Sequence, residues 1–268
     1  MHIVFNYRPM LPESVFLKNI GLAKARNLPT PGHQKRPPLA IVGGGPSVLG
    51  KIDKLKAWKG DIWACGSAFP WIKEQGIKAI FFNIDPLPEQ VEYANGAEQA
   101  ILSSITDPSV FDAVPNIECF DLVATSEYTN HGLTAVMATP VLALEMGYTA
   151  VVYFGCEGSF DTTTHAYEYT NPHSPNMGIW VRCNGNVYPS SPQYLAQAQM
   201  LAEIIRTCPL VFREASGGLL RELIRDEKYE IIAVDQTTHD LMEFSKQDGT
   251  IVSRETGREM LPILNMAL

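Results

Sequence analysis

The chain has 268 residues, of which 21 are Lys or Arg and 29 are Asp or Glu, so its formal net charge is −8 at pH 7. Nucleic-acid grooves need a basic stripe that neutralises phosphates, but the basic residues here are scattered, with Lys35-Arg36 as the densest pair. We therefore do not expect nucleic acid as a partner. With 46% hydrophobic and 19% charged residues, the composition is that of a globular domain, which excludes disorder for most of the chain.

The cysteines and the first residues bear on where the protein resides. The five cysteines are widely spaced with no C-x-x-C pair, which predicts reduced and mostly buried thiols. Arg8, Pro9 and Pro12 interrupt the stretch that a signal peptide would need to keep apolar. No run approaches the roughly 18 apolar residues of a membrane helix. We expect a cytoplasmic protein that does not associate with membranes.

Three regions are predicted along the chain. Residues 28–38 contain four prolines and one glycine, a composition that favours an extended connector. This connector ends an N-terminal arm, residues 1–37. The main domain is predicted over residues 38–234. A C-terminal tail, residues 235–268, is compatible with a hairpin after Gly249.

The main domain alternates repeatedly between strand and helix patterns. Apolar runs predict strands over 39–44, 61–67, 78–85, 101–105, 117–124, 149–155 and 209–214. Helical patterns follow from 46 and over 68–75, 131–148, 191–207 and 217–225. This alternation is typical of α/β proteins with a parallel sheet. We predict a Rossmann-like three-layer sandwich with a mostly parallel sheet.

Two segments interrupt this regular pattern. Pro140, inside the 131–148 pattern, is expected to kink that helix or to mark its true start. Residues 156–190 are rich in Thr, His, Asn, Pro and Gly and are predicted to form a long polar loop. A loop of this length in a compact domain is usually functional or contains structure that the pattern hides.

The most informative short stretch is the glycine-rich turn I-V-G-G-G-P-S, residues 41–47, between a strand and a helix. Backbone N–H groups at such a turn, with the positive end of a helix dipole behind them, form an anion site. The dinucleotide pattern fails at Val48, and the phosphate-loop pattern fails at Ile52, where a magnesium-binding hydroxyl is required. A tight turn with a purely structural role is the alternative. The predicted nucleotide-binding residues of the turn are Gly43, Gly44, Gly45, Pro46 and Ser47.

A second candidate is N-I-D-P, residues 83–86, at the carboxyl end of a predicted parallel strand. Ligands of open α/β sheets bind just outside such strand ends. A carboxylate there can hold a ribose hydroxyl or a hydrated Mg²⁺. We predict that Asn83 and Asp85 bind the nucleotide and that Asp85 also binds the metal. The alternative is that Asp85-Pro86 only initiates a turn.

The third candidate group follows the strongest predicted strand. Glu157, Asp161 and His165 occur there at four-residue spacing. A histidine with an ordinary pKa near 6.5 can deprotonate a hydroxyl near neutral pH, and neighbouring acids can orient it or hold a metal. We predict that all three are catalytic and that Glu157 is a metal ligand together with Asp85. The alternative is a solvated loop in which His165 only bonds to the backbone.

Acceptor binding is assigned to polar side chains near these groups, with helix capping as the alternative for Thr134. A zinc site built on His165 and His173 is less well supported, because the two are eight residues apart without a close pair. The sequence has no G-x-S-x-G elbow and no cysteine in an activating context, so hydrolase chemistry is not indicated. The predicted acceptor-binding residues are His131, Thr134, Ser159 and Thr164.

Taken in order, G-G-G-P-S, N-I-D-P, the run 131–160 and T-H-A-Y-E-Y resemble the 6-hydroxymethylpterin diphosphokinase MptE-like family. The resemblance spans residues 39–218, and its most specific pieces are the turn and the strand that runs into G-x-[DE]-x-x-F. The same motifs are more distantly similar to bacterial sialyltransferases, in which the turn meets the nucleotide of a CMP-sugar and a histidine is the base. Glu157 departs from the aspartate usual at its place.

The resemblance implies a nucleotide-dependent transferase. The first function that it implies is a kinase reaction, the Mg²⁺-assisted transfer of diphosphate from ATP to a hydroxymethyl group of a pterin-like acceptor. Asp85 and Glu157 would hold the metal, and His165 would help to deprotonate the hydroxyl. The alternative is a glycosyltransferase that uses a CMP-sugar or another nucleotide-sugar, with His165 as general base and no essential metal. A second alternative is a nucleotide-binding protein without catalysis. The expected partners are a nucleotide and a small-molecule acceptor, and a homodimer is compatible with such a domain.

Overall fold

The computed structural model describes residues 11–121, 134–160, 165–167 and 178–235, and the backbone of two strands at 244–247 and 250–253. Seven strands form a parallel sheet in the order β5-β4-β3-β2-β1-β6-β9. These strands are β1 (Leu39–Val42), β2 (Asp61–Cys65), β3 (Ile80–Asn83), β4 (Gln99–Ser103), β5 (Asn116–Phe120), β6 (Val151–Phe154) and β9 (Phe212–Glu214). The predicted α/β fold with a mostly parallel sheet is confirmed.

Helices cover both faces of this sheet. A 3-10 helix (Pro46–Lys51) follows β1 after three glycines. The α-helices are α1 (Glu13–Ala25), α2 (Ile52–Lys56), α3 (Ala68–Glu74), α4 (Gln90–Tyr93), α5 (Pro108–Ala113), α6 (Ala135–Glu145), α7 (Pro192–Thr207) and α8 (Gly218–Arg225). Among the residues that the structure describes, no helix combines the length and the apolar character needed to cross a bilayer.

Strand β1 shows why the predicted strands are continuous apolar runs. Its four residues are fully buried, and they alternate between two hydrophobic cores. Leu39 and Ile41 pack with residues of α6, α7 and α8, while Ala40 and Val42 pack with residues of α2, α3 and α5. Burial on both faces removes the alternation of apolar and polar residues that a half-exposed strand would show.

The strand order creates a crevice at one end of the sheet. From β1, the chain runs through β2 to β5 on one side, then crosses over to β6 and β9 on the other side. After β1 the chain leads to α2 on one face of the sheet, whereas after the neighbouring β6 it leads to α7 on the other face. Open α/β sheets bind their ligands at this kind of switch point.

The long polar loop predicted over 156–190 contains a hairpin, so that prediction was wrong over its second half. β7 (Gly178–Cys183) and β8 (Asn186–Ser190) are antiparallel, and β10 (Tyr229–Asp235) pairs with β7. The turn between β7 and β8 is Asn184-Gly185, with φ of 51° and 78°. Two residues at positive φ match the twist of a hairpin, and Asn-Gly is the strongest short-range signal for this turn.

Pro140 lies within α6 and does not start it. A proline at this position leaves the carbonyl four residues earlier, that of Val136, without its usual helical N–H donor. The Thr139 hydroxyl donates to the Val136 carbonyl instead, at 2.7 Å. A substitute donor thus lets the helix continue past the proline.

The described part of the N-terminal arm packs on the main domain. The Asn19 side-chain amide donates to the Ile105 carbonyl at 3.0 Å. Farther along, the Pro29 carbonyl accepts from the Cys119 N–H at 2.8 Å. The division of the chain at residue 38 stays a prediction. In the C-terminal tail, β11 (Phe244–Gln247) and β12 (Thr250–Ser253) form an antiparallel pair.

Candidate functional site

A cavity opens at the carboxyl ends of β1, β2, β3 and β6. Its lining includes the three turn glycines, and a neighbouring cavity touches Pro46 and Ser47. The structure therefore brings together most of the residues that the sequence singled out. Further predicted residues that line the first cavity are Asn83, Asp85, Thr134, Glu157, Ser159 and His165. Asp161, His131 and Thr164 lie outside the described residues.

The glycine turn continues the pairing of β1 with β6. The Gly43 N–H donates to the Phe154 carbonyl at 2.9 Å, and the Gly45 N–H donates to the Gly155 carbonyl at 2.8 Å. A Cβ on Gly43 would lie 2.5 Å from the Gly155 oxygen, so only glycine allows this close approach of two backbones. Two of the turn's N–H groups thus bond to the protein itself.

Glu157 bonds to the end of this turn. One carboxylate oxygen accepts from the Ser47 N–H at 2.7 Å, and the other accepts from the Ser47 hydroxyl at 2.8 Å. Glu157 is 4% exposed. Its carboxylate therefore takes the anion position at the start of the 3-10 helix that the sequence interpretation gave to a phosphate.

Asp85 lies at the cavity edge, where it also organises the loop after β3. Its Oδ1 accepts from the Leu87 N–H at 3.0 Å, and its Oδ2 accepts from the Gln90 side chain at 3.1 Å. The Asn83 side chain is buried and donates to the Asp85 carbonyl at 3.2 Å. The turn-forming role proposed as the alternative for Asp85 is thus present in the structure.

These contacts bear on the predicted magnesium site. Each oxygen of Asp85 and of Glu157 already accepts a hydrogen bond from the protein. Within the described ranges, no group of three or more His, Cys, Asp and Glu side chains is arranged to hold a metal ion. Mg²⁺ is usually held by one or two carboxylates together with water and substrate phosphates, so the magnesium site predicted on Asp85 and Glu157 stays a prediction.

His165 belongs to a short segment, residues 165–167, that covers the glycine turn. The Ala166 N–H donates to the Gly44 carbonyl at 2.9 Å. The Tyr167 hydroxyl bonds to the Ser67 hydroxyl at 2.7 Å, and its ring stacks on Trp71 with 6.0 Å between centroids. These contacts place the imidazole directly over the turn.

The imidazole of His165 is neutral at physiological pH. Burial lowers the pKa of His165 from 6.5 to about 4. Its Nε2 lies 3.4 Å from the Tyr194 hydroxyl. A neutral imidazole that lines a cavity can accept a proton from a bound hydroxyl group.

Thr134 and Ser159 both serve as caps. The Thr134 hydroxyl accepts from the Met137 N–H at 3.4 Å and donates to the Gln197 side-chain carbonyl at 2.6 Å. The Ser159 hydroxyl accepts from the Leu219 N–H at 3.2 Å in the first turn of α8. Capping, the alternative given for Thr134, is therefore seen, while both side chains still line the cavity.

Six polar residues that line the cavity were not singled out from the sequence: Ser67, Gln90, Tyr93, Gln193, Tyr194 and Gln197. Tyr194 and Gln197 stand three residues apart in α7, on one helix face. Gln90 follows β3, and Ser67 follows β2. For Ser67 a signal was available, because its position at the carboxyl end of a predicted parallel strand is the same signal that selected Asp85.

The described lining of the cavity contains two acidic side chains, Asp85 and Glu157, and no Lys or Arg. The described lining includes one histidine, His165, whose lowered pKa leaves its ring uncharged. A polyphosphate would therefore meet no positive side chain among the described lining residues.

Comparison with known proteins gives a likeness of fold. No family model matches the sequence, and no curated protein matches it. Among solved structures, the chain is similar to the MAf glycosyltransferase from Magnetospirillum magneticum AMB-1, with 20% sequence identity and a TM-score of 0.59. The match covers 80% of this chain and 38% of that chain.

The two proteins share a fold. At 20% identity the likeness shows the fold alone, and this chain spans well under half of the length of that glycosyltransferase. The resemblance to the MptE-like family is not shown by any matching family model and stays a prediction.

Proposed function

We propose that the chain is a glycosyltransferase that takes a nucleotide-sugar with a single phosphate group, such as a CMP-sugar, and uses His165 as general base. The observation that carries the proposal is the position of the His165 imidazole, which lines the cavity and lies over the glycine turn at the switch point of the sheet. The likeness of fold to the MAf glycosyltransferase supports sugar transfer over the predicted transfer of diphosphate.

The charge of the cavity favours a donor with few phosphates. ATP carries several negative charges, which transferases offset with Lys, Arg or Mg²⁺. The described lining offers Asp85 and Glu157 instead, and both carboxylates are bonded to protein donors. A CMP-sugar has only one phosphodiester charge at the reacting centre, so it meets less repulsion in this cavity.

The proposed reaction is a displacement at the anomeric carbon. His165 accepts the proton of the acceptor hydroxyl as its oxygen forms the new bond to that carbon. The bond from the anomeric carbon to the phosphate oxygen breaks, and the nucleotide leaves with the electron pair. A pKa of about 4 makes His165 a weak base in the free protein. The negative phosphate of the bound donor raises the pKa of the imidazole toward the neutral range.

A thermal-shift panel with CMP, CTP, ATP and GTP, each with Mg²⁺ or with EDTA, tests the donor assignment. Saturating CMP should raise the melting temperature by roughly 5 to 10 °C, because a ligand at about 100 times its Kd adds about 2.7 kcal/mol to the stability. EDTA should not change this shift. A shift with ATP that requires Mg²⁺ would instead return the function to diphosphate transfer.

Substitution of the base completes the test. His165→Gln should abolish sugar transfer but keep the shift with CMP, while the exposed His33→Gln should change neither. A CMP shift without transfer from any nucleotide-sugar would leave a nucleotide-binding protein without catalysis. No shift with any nucleotide would make the glycine turn a structural feature only.

A further inference from the structure

Tyr194 is the residue whose hydroxyl lies next to the proposed base. Its oxygen is 3.4 Å from Nε2 of His165, and the two rings meet edge to face with 6.4 Å between centroids. The two residues come from different elements, the first turn of α7 and the 165–167 segment, and stand 29 positions apart. Their contact joins the helix to the segment that covers the glycine turn.

Packing holds Tyr194 in place from three sides. Its N–H donates to the hydroxyl of Ser191, the N-cap of α7, at 3.2 Å. Its ring packs edge to face on Phe160 with 5.4 Å between centroids. Its carbonyl oxygen would lie 2.9 Å from a Cβ on Gly158, so the backbone of the loop after β6 approaches it closely. The hydroxyl therefore occupies a position set by packed backbone and side chains.

We propose that Tyr194 is a positioning residue for His165: its oxygen accepts the Nε2–H of the neutral imidazole, which fixes the tautomer of the ring and its orientation over the glycine turn. This role rests on the proposed function of His165 as general base. In enzymes of many folds, the hydrogen bond to one ring nitrogen of a histidine sets which nitrogen is basic. Burial, with a smaller effect from Glu157, raises the pKa of Tyr194 to about 12, so its oxygen stays a neutral hydroxyl while His165 titrates.

Among the described residues, other titratable side chains around the cavity bond to groups elsewhere. The phenol of Tyr167 belongs to the same segment as His165, with 5.6 Å between ring centroids, but its hydroxyl bonds to Ser67. Oxygens of Asp85 and Glu157 bond to their own loop and to Ser47. The remaining titratable groups that line the cavity are Cys65, Cys156 and Tyr93.

Nitrogen-15 NMR of the histidine rings tests the proposal without ligand or turnover. The chain has six histidines, and the His165 signals are assigned by their loss in His165→Gln. At pH 7 the wild-type ring should carry its proton on Nε2. In Tyr194→Phe the ring should become a mixture of both tautomers, and the pKa of His165 should fall further, because the bond to the phenol oxygen favours the protonated ring.

Tyr93→Phe is the matched control, since Tyr93 lines the same cavity without contacting His165, and it should leave the His165 signals unchanged. A wild-type ring protonated on Nδ1 would overturn the proposal, and this readout does not depend on how the variant folds. The same tautomer and pKa in Tyr194→Phe as in the wild type would also overturn it.

Activity then separates this proposal from the proposed function. If sugar transfer is found, Tyr194→Phe should lower kcat by about 10- to 100-fold with an unchanged KM for the nucleotide-sugar. If no transfer is found, the proposed function fails while the NMR result still decides the contact between Tyr194 and His165.

Discussion

Two adjacent glycines of the turn face different neighbours, although the sequence gives them the same appearance. A Cβ on Gly43 would meet the backbone oxygen of Gly155 at 2.5 Å. A Cβ on Gly44 would meet the side-chain ends of Tyr167 at 2.6 Å and His165 at 2.8 Å. Backbone in a central sheet cannot move aside easily, whereas side-chain ends can. The first glycine therefore serves the fold, and the second leaves room for the 165–167 segment.

We expect Gly43→Ala to lower the free energy of unfolding by about 3 kcal/mol and Gly44→Ala by about 1 kcal/mol, the two ends of the usual range for overpacking. Gly44→Ala should nevertheless weaken CMP binding more than Gly43→Ala does, because its methyl group pushes the whole 165–167 segment, Tyr167 included, away from the turn. Urea denaturation measures the first quantity, and calorimetric titration with CMP measures the second. Equal losses of stability and binding in both variants would give the turn a structural role alone.

The sequence could locate much of the site but not its contacts. Gly43, Asp85 and Glu157 each lie at or just after the carboxyl end of a predicted parallel strand, and such strands end at one edge of the sheet. The bond from Glu157 to Ser47, however, joins residues 110 positions apart. No local pattern shows that this carboxylate caps the 3-10 helix. Tyr194 was missed for the same reason, because an amphipathic pattern does not tell which neighbour a helix face meets.

At the scale of elements, the contacts of one tyrosine, Tyr148, join the Pro-rich connector to the amino-terminal end of the sheet. The Tyr148 hydroxyl donates to the Asp61 carboxylate at 2.5 Å, at the start of β2. The Arg36 guanidinium lies 5.5 Å from the centre of the Tyr148 ring, and its Nε donates to the Met146 carbonyl at 3.3 Å. Tyr148 thus touches both the connector and the sheet.

Tyr148→Phe should lower the free energy of unfolding by about 1.5 kcal/mol, since hydrogen bonds to charged groups contribute about that much. Burial and the bond to Asp61 raise the pKa of Tyr148 above its usual value. The contribution is therefore complete below pH ~10, the ordinary tyrosine pKa, and is lost as the pH rises through the higher value in the folded state. Urea denaturation at pH 7 measures the effect, with Tyr93→Phe as a control that should change stability by less than about 0.5 kcal/mol. Similar losses in both variants would contradict the role given to the Asp61 bond.

Elements with a strong local signal were predicted well, and those that depend on distant partners were not. The strands of the parallel sheet are continuous apolar runs because both of their faces are buried. The β7–β8 hairpin carries a local signal, Asn184-Gly185, but its strands lie in a polar region whose composition suggested a loop. β10 pairs with β7 across more than 40 residues, so no short window could show it.

For the whole molecule, strand order and charge act on the same cavity. The crossover from β5 to β6 places the loops after β1 and β6 at the switch point, and these loops supply the glycine turn and Glu157. The chain as a whole has a formal charge of −8. An anionic ligand therefore approaches a negative protein and enters a cavity whose described lining holds two carboxylates and no Lys or Arg.

This charge distribution predicts an unusual salt dependence for nucleotide binding. Raising NaCl from 20 to 200 mM shortens the screening length from roughly 20 Å to roughly 7 Å, which weakens the repulsion between the protein and CMP. The association constant for CMP should therefore rise, by about twofold, whereas sites that neutralise phosphate with Lys or Arg lose affinity as salt increases. Calorimetric titration at the two salt concentrations measures the change, and uncharged cytidine is the control that should bind equally at both. A fall in CMP affinity with salt would contradict the prediction and would mean that a positive side chain outside the described ranges meets the phosphate.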